Sequence, residues 1–366
     1  MTLRILMVTP AFLPQVGGLE SVVYHLSQAL RGRGHQVAVA HLSIFEREPR
    51  HEVMQGLEVI RLPLHGTRLI GWAPDLGALM SRFDLVHAHD PQLMAVTANI
   101  RIQGGAVPSV LSTHGGFHHT GRLKWGKRLY EKLFLKSVLN RYRRVLTSSD
   151  ADHEYFGPFC PQAELCPNGA DLSGFMGLQL LEPQPWRWIY WGRLAIHKRL
   201  DVVLDYVSRL RQLGRPVQLT ICGWDFDGTE AVLRHQIEQL GLTAHVTLKG
   251  EVTTEALLNE VARHGVFISA SEHEGFGLSF VEAMAAGKLI VYRNKAPMTT
   301  LQAPNLAATA LEFDRTNADI MKLDRFLSQP FDLLSEQIKS GRQSGVQYDW
   351  EHVVDRFIQA YESCLA

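Results

Sequence analysis

Short, almost wholly apolar runs alternate along this chain with longer stretches in which apolar residues return every three or four positions. The first pattern reads as a strand buried on both faces, the second as a helix with one apolar stripe. Residues 3–9 form such a strand. A helix follows over about 19–30, with Gly32 and Gly34 placed to stop it. The next strand is 36–42. Strands at 85–88, 109–113 and 145–148 lead into loops or helix starts at Pro91, Gly115-Gly116 and Asp150. The alternation breaks at 178–185, which closes on Pro183 and Pro185, and then resumes. Strands are expected at 188–191, 217–222, 245–248 and 266–269, with helices at 200–213, 230–240 and 254–263. Another helix pattern starts near Leu278, and 350–365 is amphipathic and reads as a last helix. Strands alternating with helices imply an α/β fold around parallel sheets. Two Rossmann-like domains, 1–180 and 186–345, followed by a helix within 349–366, are the simplest account.

Composition narrows the class. A chain of 366 residues fits two domains better than one. Its 46% apolar fraction supplies two cores, yet no uncharged apolar stretch approaches the ~18 residues of a membrane span. The opening run 3–8 contains Arg4 and is too brief for a signal sequence. The cysteines at 160, 166, 222 and 364 make neither a C-x2-C zinc pair nor a disulfide framework. A cytoplasmic protein with reduced thiols is expected. Basic and acidic residues balance at 37 each, so only local clusters of charge can indicate a partner.

Ligands bind off the carboxyl ends of strands in doubly wound sheets. The unusual loops fall there: Gly17-Gly18, His114-Gly115-Gly116, Gly192-Arg193, Gly223 and 274–277. Segment 271–287 is the most informative. Glu274 and Glu282 stand eight residues apart, with Gly275 and Gly277 freeing the backbone between them. The helix starting near Leu278 offers amide N–H groups and a positive dipole end to a phosphate. Carboxylates repel phosphate but accept from hydroxyls. One on each side of such a loop therefore suits a diphosphate flanked by sugar hydroxyls, as in a nucleotide sugar. Either glutamate alone would be an ordinary exposed or capping residue; the spacing across two glycines points to a site.

Arg193 follows a strand directly and Lys198 stands five residues on, a planar fork and a point charge for a departing diphosphate. A solvated basic turn is the alternative, and Arg199 reads as surface. His114 follows a strand and precedes two glycines. A side chain titrating near working pH there suits a sugar hydroxyl or charge at a reacting carbon, against a hydrogen-bonded structural histidine. His87 and His89 share one strand face with no third metal ligand nearby and read as structural. Asp150-Ala-Asp152 and Asp225-Phe-Asp227 match the D-x-D pattern that holds a metal and a diphosphate, but one reads as a helix cap and the other as a turn before Gly228. No metal is expected.

The stretch from Arg122 to Arg144 carries nine Lys or Arg and one acid, Glu131. Trp125, Leu129, Leu133, Phe134, Val138 and Tyr142 recur through it at helical spacing. Two readings stand side by side. One is a basic amphipathic segment on anionic lipid, with Arg122, Lys124, Trp125, Lys127 and Arg128 as membrane or acceptor contacts. The other is a core helix with a solvated basic face. Nucleic acid is not expected, since one basic stretch on a neutral chain is a thin electrostatic footprint.

Together these residues resemble the retaining glycosyltransferases of family 4, which have the GT-B fold of two Rossmann-like domains facing a central cleft. The likeness runs through Pro14-Gln-Val-Gly-Gly-Leu-Glu20, Thr113-His-Gly115, Pro167-Asn-Gly-Ala-Asp171, Gly192-Arg-Leu194 with Lys198 and Asp201, Cys222-Gly223, Lys249-Gly-Glu-Val252 and the E-x7-E pair. The resemblance implies that Glu274 contacts the donor sugar near its reacting carbon and Glu282 the nucleotide ribose. Arg193 and Lys198 would hold the diphosphate, aided by Gly17, Gly18 and the backbone of Gly275, Phe276, Gly277 and Leu278. His114 would lie by the donor sugar, and the backbone around Gly223 and 250–252, Val252 included, by the base. The helix beginning near Trp350 would cross back to the first domain.

The resemblance also implies front-face transfer with retained configuration and no metal or other cofactor. One departure is Lys198-Arg-Leu-Asp201 in place of the more familiar Lys-Gly-x-Asp. The wording of 274–294, with the basic-aromatic stretch, is most similar to bacterial mannosyltransferases of exopolysaccharide assembly. That implies a GDP-mannose donor, a polyprenyl-diphosphate-linked oligosaccharide acceptor and a peripheral place on the inner face of the cell membrane. A UDP-sugar donor, a sugar-nucleotide epimerase of the same fold and a non-catalytic nucleotide-sugar-binding module are the other readings.

Overall fold

A computed structural model describes residues 2–14, 17–67, 70–90, 94–115, 124–180, 182–302 and 305–366. The chain divides into two compact units, Met1–Ala170 with Tyr348–Ala366, and Asp171–Gln347. The division after Ala170 precedes the break suggested by the prolines. The short helix Ser173–Met176 lies in the second unit, where Phe175 stacks on Trp191 with ring centroids 6.0 Å apart.

The described strands of the first unit are β1 Arg4–Thr9, β2 Gln36–Ser43, β3 Arg50–Met54, β4 Leu57–Pro63, β5 His65–Gly66, β6 Gly71–Trp72, β7 Leu85–His89, β8 Ser109–Ser112, β9 Arg144–Thr147 and β10 Glu164–Leu165. All but β5 and β6 form one sheet, ordered β10-β9-β8-β7-β1-β2-β4-β3. Every pairing in it is parallel except β3 with β4. β1 and β2 bury all but their first residue, which is why they read as continuous apolar runs. The β3–β4 hairpin was not expected. β3 carries Arg50, His51 and Glu52 along an exposed edge, so no apolar signal marks it. Its turn, Gln55-Gly56, has φ of 49° and 79°, as a two-residue hairpin of this hand requires.

The helix Gly18–Gly32 buries Val22, Val23, Leu26 and Leu30. The helix Trp350–Leu365 packs against it inside the first unit, burying Val353, Val354, Phe357 and Tyr361. The Tyr361 hydroxyl lies 2.8 Å from His87 Nδ1 on β7, fixing that helix to the sheet.

In the second unit, β11 Arg187–Trp191, β12 Gln218–Cys222, β13 Val246–Gly250, β14 Val266–Ser269, β15 Leu289–Arg293 and β16 Ala308–Leu311 form a parallel sheet ordered β13-β12-β11-β14-β15-β16. The chain winds outward from β11 to β13, returns to pair β14 beside β11, and winds the other way. The switch point therefore lies between β11 and β14, and the loops leaving those two strands carry 192–199 and 270–277. Helices at Leu200–Gln212, Thr229–Gln239, Thr254–Ala262 and Leu278–Ala285 fall where expected.

Candidate active site

Three adjacent strands of the second unit end on glycines. Gly192 follows β11, Gly223 follows β12 and Gly250 closes β13, with φ of 139°, 156° and 68°. Their backbones interlock: Gly192 N–H donates to Cys222 O at 3.1 Å and Gly223 N–H to Gly250 O at 2.8 Å. A Cβ on Gly223 would stand 1.8 Å from Gly192 O, so no other residue fits. The result is a run of glycine backbone at three neighbouring strand ends, continuing to half-buried Val252. This suits close approach by a flat ring such as a base.

Exposed Arg193 leaves this surface with its guanidinium 5.1 Å from the Phe226 ring centroid and no acidic partner among the described residues. Lys198 is the opposite case. It is buried in a short 3-10 turn, Ile196–Lys198, and its Nζ donates to Glu274 Oε1 at 2.6 Å. The expected cation and carboxylate, 76 residues apart in sequence, thus meet at the switch point. The glutamate loop reaches Lys198 because Glu272 N–H donates to His197 O at 2.9 Å. Gly277, in the left-handed region at φ 91°, then opens the helix Leu278–Ala285. Burial, with the neighbouring Lys198 charge, lowers the His197 pKa to about 4, so His197 is neutral.

Glu282 sits on that helix and accepts a hydrogen bond from Trp191 Nε1–H at 2.6 Å. It lies deep in the unit although partly exposed, and burial raises its carboxyl to about 7. Arg199 is not the free surface residue expected. Its backbone is left-handed, φ 51° and ψ 41°, and its guanidinium pairs with Asp201 and Glu272. A left-handed position also accounts for glycine in the familiar pattern, since glycine adopts it without strain. Asp225 and Asp227 shape the adjoining turn: Asp225 Oδ1 accepts from Gly228 N–H and Asp227 Oδ2 from Ile196 N–H.

The remaining expected residues belong to the first unit. Gly17 precedes and Gly18 opens the helix Gly18–Gly32. His114 leaves β8, its Nε2 lying 3.0 Å from His89 Nδ1, and the His89 ring lies 4.2 Å from that of His87, tilted by 35°. Burial lowers the His114 and His87 pKa values to about 3 and that of His89 well below its ordinary value. This corrects the expectation that His114 titrates near working pH: its ring is neutral, and any effect on a sugar comes through hydrogen bonding. His89, set aside in sequence as structural, is what orients His114. Asp152, read from sequence within a D-x-D match as part of a helix cap, is not the cap. Its Oδ2 accepts from Thr113 Oγ1, Ser148 Oγ and Gly115 N–H, pinning the loop on both sides of His114, while Ser149 serves as the helix cap. Gly116 and Arg122 lie outside the described residues.

The basic stretch forms helices Lys124–Tyr130 and Lys136–Leu139 joined by a π-helical turn, Glu131–Leu135. The wider turn sets Tyr130, Leu135 and Leu139 against the core at spacings of five and four. Trp125, Leu129, Leu133 and Phe134 are left exposed beside Arg128, with Trp125 at 85%. One face of the stretch is core, and the other is basic and apolar. The side chains of Lys124 and Lys127 lie outside the described residues. No described helix is long and apolar enough to cross a membrane.

Two family models account for most of the chain: Glycosyltransferase Family 4 over residues 16–173 and Glycosyl transferases group 1 over 179–344. The chain belongs to glycosyltransferase family 4. Among its relatives, the Xanthomonas campestris protein named GDP-mannose:cellobiosyl-diphosphopolyprenol alpha-mannosyltransferase is 27% identical, over 99% of this chain and 97% of that one. A protein of the same name from Komagataeibacter xylinus is 26% identical over 100% and 94%. The fold is that of the sucrose-phosphate synthase of Thermosynechococcus elongatus, with a TM-score of 0.78, 20% identity and 98% of each chain covered. As a family 4 enzyme the chain is a glycosyltransferase of GT-B fold, and its E-x7-E segment lies within the group 1 match.

Proposed function

We propose that this enzyme moves mannose from GDP-mannose, with retained configuration, to a polyprenyl-diphosphate-linked oligosaccharide. The chemistry rests on one observation, the 2.6 Å Lys198–Glu274 contact at the β11/β14 switch point. The names of the Xanthomonas and Komagataeibacter relatives support the donor and acceptor. A diphosphate entering the site takes Lys198 from Glu274, and exposed Arg193 adds a second cation. Positive charge is then in place where negative charge develops, usually the largest catalytic effect. Freed from Lys198, Glu274 accepts from donor-sugar hydroxyls near the reacting carbon, while Glu282 accepts from the ribose. The bond from anomeric carbon to phosphate oxygen breaks, the acceptor oxygen bonds the same face, and the acceptor proton passes to the leaving diphosphate. Because these cations neutralise the leaving group, transfer is read as independent of metal. Neutral His114 serves the donor sugar as a hydrogen-bonding partner.

The exposed Trp125, Leu129, Leu133 and Phe134 on a basic segment support a peripheral place on an anionic membrane, where a lipid-linked acceptor resides.

Lys198 and Glu274 side chains are only 11% and 12% exposed. Truncating either would strand a buried charge at a cost of about 3–5 kcal/mol. Lys198→Met and Glu274→Gln keep the side-chain volume but also leave the partner's charge unpaired, so activity is compared per folded enzyme. Each is expected to lower Tm and to lower transfer of labelled mannose to lipid extract by about 100-fold or more per folded enzyme. Parental turnover in either variant overturns the assignment. Labelled UDP-sugars run alongside test the donor. Sugar altered without acceptor would mark an epimerase, and sugar bound intact a binding module.

A further inference from the structure

Arg199 holds a backbone conformation, φ 51° and ψ 41°, that strains any residue with a Cβ. Such strain persists where surrounding contacts over-determine it. The guanidinium shows what those contacts are. Nε and Nη2 donate to the two oxygens of Asp201, each at 3.0 Å, and Nη1 donates to Glu272 Oε1 at 2.6 Å. Asp201 is two residues along its own turn, whereas Glu272 belongs to the loop that leaves β14. The same two segments are joined on either side of this link, by Glu272 N–H to His197 O at 2.9 Å and by Lys198 Nζ to Glu274 Oε1 at 2.6 Å. Asp201 has a second anchor, Arg315 Nη2 at 3.0 Å, so removing Arg199 leaves Asp201 held. Among the described residues, Glu272 shows no other side-chain ion pair.

We propose that Arg199 is a positioning residue for glycosyl transfer: by bridging Asp201 and Glu272 it fixes the glutamate loop against the Lys198 turn and sets where the Glu274 carboxylate stands. Arg199 touches no substrate in this scheme. Its planar fork holds Asp201 by two bonds and Glu272 by a third in one fixed geometry, which the point charge of a lysine does not impose. The proposal rests on the donor-site reading of Lys198 and Glu274.

Arg199→Gly is the decisive variant, because glycine takes the left-handed conformation without strain and only the bridge is lost. With the nucleotide sugar that the parent enzyme uses, kcat is expected to fall by about 10- to 100-fold. Donor KM should change far less, and Tm should stay close to the parent's. Glu272→Gln, which breaks the bridge from the other end, should show the same loss of kcat. The double variant should be no worse than the more affected single variant. Parental kcat in Arg199→Gly, a fall in Tm with kcat per folded enzyme unchanged, or losses that add in the double variant would each overturn the proposal. Lys198→Met separates the two layers. If it is inactive while Arg199→Gly is normal, only the positioning role fails; if Lys198→Met is itself normal, the donor-site reading fails.

Discussion

Burial raises the Glu282 carboxyl to about 7, while the Trp191 indole N–H works against that by favouring the ionised form. Between the ordinary 4.5 and about 7 the folded chain holds a proton that the unfolded chain has lost. Stability therefore declines as pH rises through that window. Hydroxyl donors favour the ionised carboxylate, so ribose binding and protonation compete. Donor KM is expected to rise as pH falls through about 7, and Glu282→Gln to flatten that dependence; an unchanged profile in the variant would contradict the ribose role. The spacing of the two glutamates was legible in the sequence. The protonation of Glu282 was not, since it depends on burial and on Trp191, 91 residues away. His114 shows the same limit, because its neutrality comes from enclosure beside His89 on another strand.

Among the elements, strand ends carry most of the candidate site residues. The contact between Gly223 and Gly192 O leaves no room for a methyl group. Gly223→Ala must push β12 and β11 apart at their ends, costing about 1–3 kcal/mol. Urea denaturation followed by tryptophan fluorescence is the check, with Trp188 and Trp191 on β11 as reporters. Strands buried on both faces were readable as apolar runs, and their order along the chain gave the parallel topology. Elements whose signal is not apolar periodicity escaped. The β3 edge is polar and is held by β4 and its turn. The π-helical turn at Glu131–Leu135 changes the helical period itself, so Leu129 and Leu133, which seemed to share a face with Tyr142, point to solvent while Tyr142 is buried.

For the molecule as a whole, net charge is zero, and the basic segment gives the first unit its local positive field. Vesicles containing phosphatidylglycerol are expected to bind the protein, less so at high salt, where surface charge is screened. Replacing Leu129 and Leu133 together by Ser should weaken that binding by about tenfold or more, with turnover on a water-soluble acceptor unchanged. Equal sedimentation of parent and variant with the vesicles would rule the face out as the docking surface.

The helix Trp350–Leu365 completes a unit whose sheet begins at Arg4, and its Tyr361 meets His87 across 274 residues of chain. On the ribosome, that first unit must wait for the residues of 350–365 to emerge before this helix can dock. All of Asp171–Gln347 is synthesised sooner and can mature meanwhile. The lobe made first is thus the one finished last. Stalled or prematurely terminated translation beyond residue 347 would release a second unit complete in sequence, attached to an incomplete first.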